Sequence, residues 1–257
     1  MKLRELDAKM RAFETGNDSA IPLGQYVIAR LDGRGFGRLT RDVLKFDGPA
    51  DPRLRDHMTA TTQELMHGGF QVLYAYTQGD EISLLFHRDD TSFGRRRRKY
   101  NSVLAGIASA AFSLRVSALA CFDCRISELP DEGLVIEYFR WRARDGERNA
   151  LNSYCTWAME NAGASRQESS TRLHGLNAKA KKKLLACEHG IDFETLPSWQ
   201  KRGLGLYWVP YEKQFVDPQT GAEKSFSRQR IHIDPEQPSQ PDYGRFLGDL
   251  MRAAQSK

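Results

Sequence analysis

The chain has 257 residues, of which 40% are hydrophobic and 28% charged, and this balance excludes a disordered or low-complexity protein. No apolar run approaches the roughly 18 residues of a membrane-spanning helix, and the N-terminus is charged rather than a signal peptide, so we predict a cytoplasmic protein. The formal net charge of +5 fits a polyanionic partner.

The first predicted element is a helix over residues 1–14. Its apolar residues, Leu3, Leu6, Met10 and Phe13, recur at a spacing that places them on one helical face. We expect that face to pack on the core.

The next stretch predicts a buried strand that leads into a glycine-rich loop. The apolar run 26–31 ends in Asp32-Gly33, and further glycines follow at short intervals. Consecutive backbone N–H groups in such a loop suit an anion such as a triphosphate. The candidate nucleotide-binding residues of the loop are Arg34, Gly35, Phe36 and Gly37.

A helix is predicted over residues 51–68, with Asp51 as its cap and Gly68 at its end. Residues 72–86 then predict a β-hairpin whose turn carries Gly79, Asp80 and Glu81. Asp and Gly are common in turns, so turn chemistry alone is one interpretation. The other is that Asp32 and the Asp80-Glu81 pair together hold two Mg²⁺ ions, since hard divalent ions prefer oxygen ligands.

After the hairpin, an arginine run at 93–99 precedes a helix over residues 100–120. The run is either a solvated face or a phosphate-binding segment, with Arg96 and Lys99 as the candidate nucleotide contacts. A strand follows at 122–129. The cysteines, Cys121, Cys124, Cys155 and Cys187, lack the partners of a zinc site and are expected to be reduced and structural.

The order strand, helix, hairpin, helix, strand predicts an α+β fold with a ferredoxin-like antiparallel sheet and helices on one face, the layout of polymerase palm domains. We expect residues 1–135 to form this palm-like catalytic core. Residues 136–257 are expected to form a helical and β-hairpin extension packed on it, within one compact unit.

The extension contains basic residues interleaved with aromatic ones, a composition typical of RNA-binding surfaces. An ordinary helix with solvated arginines is the alternative, and the lysines near residue 180 have the same two interpretations. The candidate RNA-binding residues are Arg140, Arg142, Arg148, Asn149, Lys179, Lys182 and Lys183. Residues 204–233 predict β structure with a turn at 217–221, followed by a Pro-rich linker at 235–241 and a helix at 243–254.

Taken in order from about residue 1 to residue 208, a set of short motifs resembles the tRNA-histidine guanylyltransferase family. The residues that carry the resemblance are Asp32-Gly33-Arg34-Gly35-Phe36, Pro49-x-Asp51, Gly79-Asp80-Glu81, Arg95-Arg96 with Lys99, Phe122-Asp123-x-Arg125, Tyr138-Phe139-x-Trp141-Arg142, Leu173-His174-Gly175, Leu196-Pro197 and Lys201-Arg202-Gly203.

The resemblance implies a homotetrameric enzyme that adds nucleotides in the 3′ to 5′ direction at a tRNA 5′ end. Asp32 and Asp80 match the metal-binding carboxylates of the family, Gly33 the metal-binding carbonyl, and Arg96 and Lys99 a basic segment that contacts nucleotide phosphates. Glu81 is left with two roles, a third metal ligand or a group that orients the others.

The implied chemistry has a 5′-triphosphorylated or 5′-adenylylated tRNA as electrophile and the 3′-hydroxyl of GTP, ATP or another NTP as nucleophile. Two Mg²⁺ ions activate that hydroxyl and position the triphosphate. Pyrophosphate or AMP leaves, and pairing with the opposite strand selects the base.

Several positions depart from the guanylyltransferases that add the extra G to tRNA-His. Gly79 stands in place of Ser, Gly37 in place of His and Gly48 in place of Lys, and the segment 147–153 keeps only Asn149 and Leu151 of a seven-residue family motif. The chain therefore resembles the bacterial-type Thg1-like branch, and we expect template-dependent repair of tRNA 5′ ends.

Three alternatives stay open at the sequence level. The first is addition of G to tRNA-His, and the second is a nucleotide cyclase, whose Gly-Gly-Asp-Glu-Phe hairpin resembles residues 78–82. The third is a tRNA-binding protein without catalytic activity. The intact carboxylates and the ordered motifs weigh against the last two.

Overall fold

The computed structural model describes residues 3–16, 18–216, 223–238 and 242–255. The described helices are α1 (Leu3–Thr15), α2 (Phe36–Arg38), α3 (Pro52–His67), α4 (Arg97–Val116), α5 (Glu132–Asn161), α6 (Arg166–Leu173), α7 (Ala178–His189), α8 (Ser198–Arg202) and α9 (Asp242–Gln255). The described strands are β1 (Tyr26–Gly33), β2 (Val72–Gln78), β3 (Glu81–Phe86), β4 (Phe122–Leu129), β5 (Leu204–Val216) and β6 (Glu223–Asp234).

The strands of the described residues form one antiparallel sheet in the order β4-β1-β3-β2-β5-β6. The predicted order of strand, helix, hairpin, helix and strand is confirmed, and so is the α+β class. In this register Asp32 of β1 lies opposite Glu81 of β3 on one side and Asp123 of β4 on the other.

Alternate residues of the strands build a core on the face covered by α3 and α4. Val27, Ala29 and Leu31 of β1 point to this face because side chains alternate along a strand. They pack with Met58 and Leu65 of α3. From α4 the same core receives Tyr100, Leu104, Ala108 and Phe112.

The opposite face of the sheet is covered by α5 and α9, an arrangement that the sequence analysis did not include. Tyr26 and Ile28 of β1 pack there with Val135 and Phe139 of α5. From α9 this cluster receives Tyr243, Leu247 and Met251. Helices α5 and α9 of the extension therefore cover the second face of the sheet. The site lies between this face and α5.

The first helix is present as predicted, but the expectation that it packs on the core is wrong. None of its side chains is buried, and Leu3 and Phe13 are 82% and 75% exposed. An apolar stripe indicates that this face of the helix packs against a partner, but it does not identify the partner.

The remaining expectations for the C-terminal third are confirmed where they can be compared. β5 and β6 pair over nearly their whole length, and the last helix begins at Asp242. The turn predicted at 217–221 lies outside the described residues. Within the described ranges, no helix combines the length and the apolar character that crossing a membrane requires.

Candidate active site

Three carboxylates meet where β1 ends and the β2–β3 hairpin turns. Asp32 and Glu81 lie on paired strands, and the Gly33 N–H donates to the Asp80 carbonyl at 3.1 Å. Gly79 takes a φ of 59°, a left-handed conformation that glycine adopts without steric cost. The tight turn thus brings Asp80 beside the end of β1, as the sequence analysis expected.

An alternating chain of ion pairs crosses the site from β4 to α5. Its members, in spatial order, are Asp123, Arg125, Asp32, Arg30, Glu81, Arg142, Asp145 and Arg148. Arg30 and Arg125 each place Nη2 near Oδ2 of Asp32, at 2.8 and 2.9 Å. We call these eight residues the ion-pair chain, and it neutralises every carboxylate of the site except that of Asp80.

Arg142 is the buried member of the ion-pair chain. Its side chain is 3% exposed and contacts the Glu81 carboxylate, and its Nη2 lies 3.0 Å from Oδ2 of Asp145 one helical turn along α5. A buried charge is tolerated only when it is paired, so Arg142 and Glu81 depend on each other. Burial raises the pKa of Glu81, although Arg142 and Arg30 oppose the rise.

Asp80 lacks such a cation. No ion pair reaches its carboxylate among the described residues, and burial, followed by the negative charges of Glu81 and Asp32, raises its pKa to about 6. The site is therefore short of positive charge at this one position.

The donor set fits a hard divalent cation. Asp32 and Asp80 supply carboxylate oxygens, and the Gly33 backbone supplies a carbonyl oxygen. Within the described ranges no group of three or more acidic, histidine or cysteine side chains forms a self-contained metal site. Mg²⁺ is commonly bound by one or two carboxylates together with substrate phosphates and water, so the two acids and the missing charge at Asp80 suit it.

The glycine-rich loop exposes backbone donors next to these acids. Gly35 has a φ of 71°, and the N–H groups of Gly35, Phe36 and Gly37 find no acceptor among the described residues. The Phe36 side chain, in contrast, is buried in the core with Phe112 and Phe122 at centroid distances of 4.9 Å. The backbone of Phe36, and not its side chain, is therefore the part that can face the site. Arg34 is exposed beside it.

Two clefts open on either side of the Gln78-Gly79 turn. One, of about 560 Å³, is lined by Asp80, Glu81 and Arg142 with Asn149 of α5. The second, of about 390 Å³, has both polar and apolar lining residues and includes Trp199, over which the Arg55 guanidinium lies at 4.7 Å. Asp80 and Glu81 thus face an open cleft beside α5.

The structure does not bring Arg96 and Lys99 to the carboxylates. Arg96 lies 3.6 Å from Asp18, and the neighbouring Arg97 pairs with Glu128, which sits opposite Val27 at the start of β1. Asp32 lies five positions after Val27 along the strand, or about 17 Å at 3.4 Å per residue. The basic segment therefore lies toward the other end of the sheet in this chain.

Some of the candidate RNA-binding residues are exposed, whereas others contact the protein itself. Arg148, Asn149, Lys179 and Lys183 are exposed, and Lys182 contacts Glu147 and Glu194. Arg140 packs against Gly244 of α9. Arg142 requires a correction, because its buried guanidinium binds Glu81 and Asp145 and is not presented to an RNA phosphate.

Sequence reasoning assigned no role to Arg30, Arg125 or Asp145. A signal for Arg30 exists, since residues 30 and 32 of one strand share a face. Asp145 and Arg142 are likewise three positions apart on a helix, within contact distance. The partners across the sheet and between sheet and helix could be found only from the fold.

Comparisons with known proteins agree along most of the chain. The family model described as tRNAHis guanylyltransferase (Thg1) matches residues 7–130, and that of the Thg1 C-terminal domain matches residues 134–240. The probable tRNA(His) guanylyltransferase of Bos taurus is 30% identical over 214 residues, or 79% of this chain and 71% of that protein. Its counterpart in Drosophila melanogaster is 27% identical over 203 residues, covering 76% of this chain and 70% of the relative.

Solved structures give the same result for the fold. A bacterial tRNA(His) guanylyltransferase (Thg1)-like protein in complex with ATP superposes with a TM-score of 0.77 and 25% identity, covering 95% of this chain and 98% of that one. The tRNA(His) guanylyltransferase of Saccharomyces cerevisiae has a TM-score of 0.68 at 24% identity, over 77% of this chain and 91% of that chain.

Proposed function

This chain belongs to the tRNAHis guanylyltransferase (Thg1) family and is a nucleotidyltransferase; from that premise we propose that it adds nucleotides in the 3′ to 5′ direction, copying a template, to the 5′ end of truncated tRNA. One observation carries the proposal. Asp32, Asp80 and Glu81 converge beside the N–H groups of Gly35, Phe36 and Gly37, which find no acceptor in the described part of the chain. Groups that can bind cations therefore lie next to groups that can bind phosphates.

In this proposal Asp32, Asp80 and the Gly33 carbonyl hold two Mg²⁺ ions. Bound there, the metal supplies Lewis-acid stabilisation of phosphate charge and lowers the pKa of the attacking hydroxyl. The N–H groups of Gly35 to Gly37 bind triphosphate oxygens. Arg30 and Arg125, which already lie at Asp32, add positive charge beside the reacting phosphorus.

The roles of two acids differ because their surroundings differ. Asp80, without an ion pair, is the carboxylate most in need of a cation, and it accounts for metal dependence. Glu81 is paired with Arg142 and has a positioning role. Its carboxylate fixes one side of the cleft, and its second oxygen orients the other groups of the site.

The nucleophile in this scheme is the 3′-hydroxyl of an incoming NTP, GTP and ATP among them, and the electrophile is the activated 5′ phosphate of the tRNA. A relative bacterial structure carries ATP, in agreement with an NTP substrate. Pairing with the opposite tRNA strand selects the base.

We further propose a division of labour within the chain. Residues 1–135 carry the chemistry, and residues 136–257 provide RNA contacts through Arg140, Arg148, Asn149, Lys179, Lys182 and Lys183. The exposed apolar face of α1 supports a homotetramer, since such a face is stabilised by being covered. The unpaired cysteines suit the reducing cytoplasm as the place of action.

A second candidate is addition of a single G to tRNA-His, and the names of the curated relatives favour it. The two candidates differ in substrate. Repair acts on any tRNA that lacks 5′ nucleotides and follows the opposite base, whereas G addition requires tRNA-His and G alone.

The test is extension of a 5′-triphosphorylated tRNA that lacks its first nucleotide, with each NTP offered singly in the presence of Mg²⁺. We expect only the complementary nucleotide to be added, and changing the template base to change the nucleotide. The variant Asp80→Asn should lose addition by at least about a hundredfold, while Asp89→Asn, an exposed acid beyond β3, should retain it.

Addition of G whatever the opposite base, and only to tRNA-His, would favour the second candidate. Consumption of NTP in the absence of RNA would point to a cyclase. A protein that binds tRNA but transfers nothing, with or without Mg²⁺, contradicts the catalytic proposal.

A further inference from the structure

A broad, open groove adjoins the catalytic cleft, and of the residues assigned to the chemistry proposed above it is lined by Gly37 alone. It lies between the loop before α3 and the second half of α5. Pro49 and Ser153 line both the groove and the cleft that contains Asp80, so the two spaces meet. Whatever lies in the groove is therefore a direct neighbour of the reacting group.

The helical wall of the groove carries neutral hydrogen-bonding groups, one indole ring and the carboxylate of Glu160. Asn152, Thr156 and Asn161 line it together with Trp157. Asn152 and Thr156 are four positions apart, as are Trp157 and Asn161, so the members of each pair are neighbours on the helix surface. The Trp157 ring packs against Gly48, where an added Cβ would lie 3.1 Å from the indole. Aromatic rings beside neutral donors and acceptors are typical of sites for unpaired nucleotides, whose bases stack and expose their edges.

The charged residues of the groove balance one another, with two arginines and two acids. Arg41 pairs with the adjacent Asp42, and Arg166 has no ion-pair partner within the described ranges. The acids Asp47 and Glu160 also line the groove. Stacking and hydrogen bonding, rather than net charge, are therefore the interactions this wall offers.

The length of the wall sets the size of the ligand. Asn161 lies nine positions after Asn152, a rise of about 14 Å along α5 at 1.5 Å per residue. Stacked nucleotides of one strand rise about 3.4 Å each, so the wall accommodates about four of them.

We propose that this groove binds the unpaired 3′-terminal nucleotides of the tRNA acceptor end. The inference rests on the proposed function, since it requires a tRNA 5′ end at the carboxylates. The complementary strand then lies one base pair away, and its unpaired continuation enters the adjoining groove. Trp157 stacks on one base of that strand, and Arg166 contacts its backbone.

The experiment compares two acceptor-stem RNA hairpins that have the same paired stem. One ends blunt, and the other carries four unpaired 3′ nucleotides. Fluorescence anisotropy of labelled RNA gives the affinity of the intact protein for each. We expect the extended hairpin to bind at least about tenfold more tightly, because stacking of a single base contributes on that scale.

Arg166→Ala should remove several-fold of the advantage of the extended hairpin. Arg172→Ala is the matched control, since Arg172 is an exposed arginine of the same helix that pairs with Glu188 outside the groove, and it should leave the advantage intact. The extended hairpin should lose affinity with salt at a slope steeper by only about one counterion, because Arg166 is the one cation proposed to contact the tail backbone.

Equal affinity for both hairpins overturns the inference while leaving the proposed function standing. So does an equal effect of the two arginine variants, or a salt dependence for the extended hairpin that is steeper by several counterions, because the tail then lies on a charged surface elsewhere. Failure of both hairpins to bind even at low salt is a different result, and it contradicts the tRNA substrate itself.

Discussion

At the scale of single residues, the site depends on how each carboxylate is neutralised. Asp32 and Glu81 are held by arginines of the ion-pair chain, whereas Asp80 is paired with none among the described residues. Asp80 and Glu81 are adjacent in the chain, yet their charges are compensated in different ways. Asp80 needs a cation from outside, and Glu81 needs Arg142.

Asp80 should be costly to stability in the absence of metal. Its pKa of about 6 lies above the usual value, so folding disfavours the ionised form, and the cost is fully present above about pH 6 and disappears as the pH falls below about 4. Asp80→Asn should therefore raise the free energy of unfolding by about 2 to 3 kcal/mol at pH 8, and by less at pH 5. Chemical denaturation in metal-free buffer at the two pH values measures the difference.

Mg²⁺ supplies the control for that prediction. It should raise the melting temperature of the wild type at pH 8 and have little effect on Asp80→Asn, because a ligand that binds only the folded state stabilises it. A variant that gains no stability at pH 8, or one that responds to Mg²⁺ like the wild type, contradicts the assignment of Asp80.

The pair Glu81 and Arg142 should behave as a coupled unit. Arg142→Met leaves Glu81 without its buried partner and should lower the free energy of unfolding by about 3 kcal/mol or more. Adding Glu81→Gln should restore much of that loss, and a double-mutant cycle by urea denaturation measures the coupling. Arg148→Ala, at the exposed end of the same chain, should change stability by less than about 1 kcal/mol.

At the scale of elements, α5 forms one wall of both the cleft and the groove, and its distance from the sheet determines their width. Gly146 allows the approach, since a Cβ there would lie 2.8 Å from the Tyr76 hydroxyl and 3.0 Å from Cγ of Gln78. A side chain at this position must push the helix away from the hairpin that carries Asp80.

Gly146→Val should lower stability by about 1 to 3 kcal/mol, as overpacking does, and should also slow nucleotide addition. Gly106→Ala in α4 is the matched control: no atom lies within 4 Å of its added Cβ, and replacing a helical Gly should add about 0.5 to 1 kcal/mol. Thermal melting and the extension assay measure both effects. Full activity in Gly146→Val would mean that the position of α5 does not limit the reaction.

At the scale of the whole molecule, the exposed stripe on α1 is the largest departure from the sequence-based expectation. If the chain is a homotetramer and α1 lies in an interface, sedimentation should give four chains for the wild type. Leu3→Ser with Phe13→Ser should shift the assembly toward smaller species, because both side chains are exposed and apolar in the single chain.

Leu114→Ser is the comparison, as it removes an apolar side chain that is 81% exposed on another helix. It should leave the assembly unchanged. A wild type that sediments as a monomer contradicts the homotetramer, and equal dissociation by both variants means that α1 has no special place in the interface.

Much of this protein follows from its sequence alone, because the relevant signals are local. Alternating strands around Gly79-Asp80 predict the hairpin, Asp51-Pro52 predicts the start of α3, and the motif order identifies the family. Backbone preferences and side-chain periodicity act over a few residues, so they can be evaluated without the fold.

The tertiary structure decided what lies across from each group. It buries Phe36 and Arg142, links Asp32 to Arg125 on another strand, and places Arg96 and Lys99 toward the far end of the sheet. The covering of the second face by α5 and α9 and the groove beside the carboxylates are of the same kind. These features arise from contacts between residues far apart in the chain, and local preferences carry no information about which distant partner completes a charge or a face.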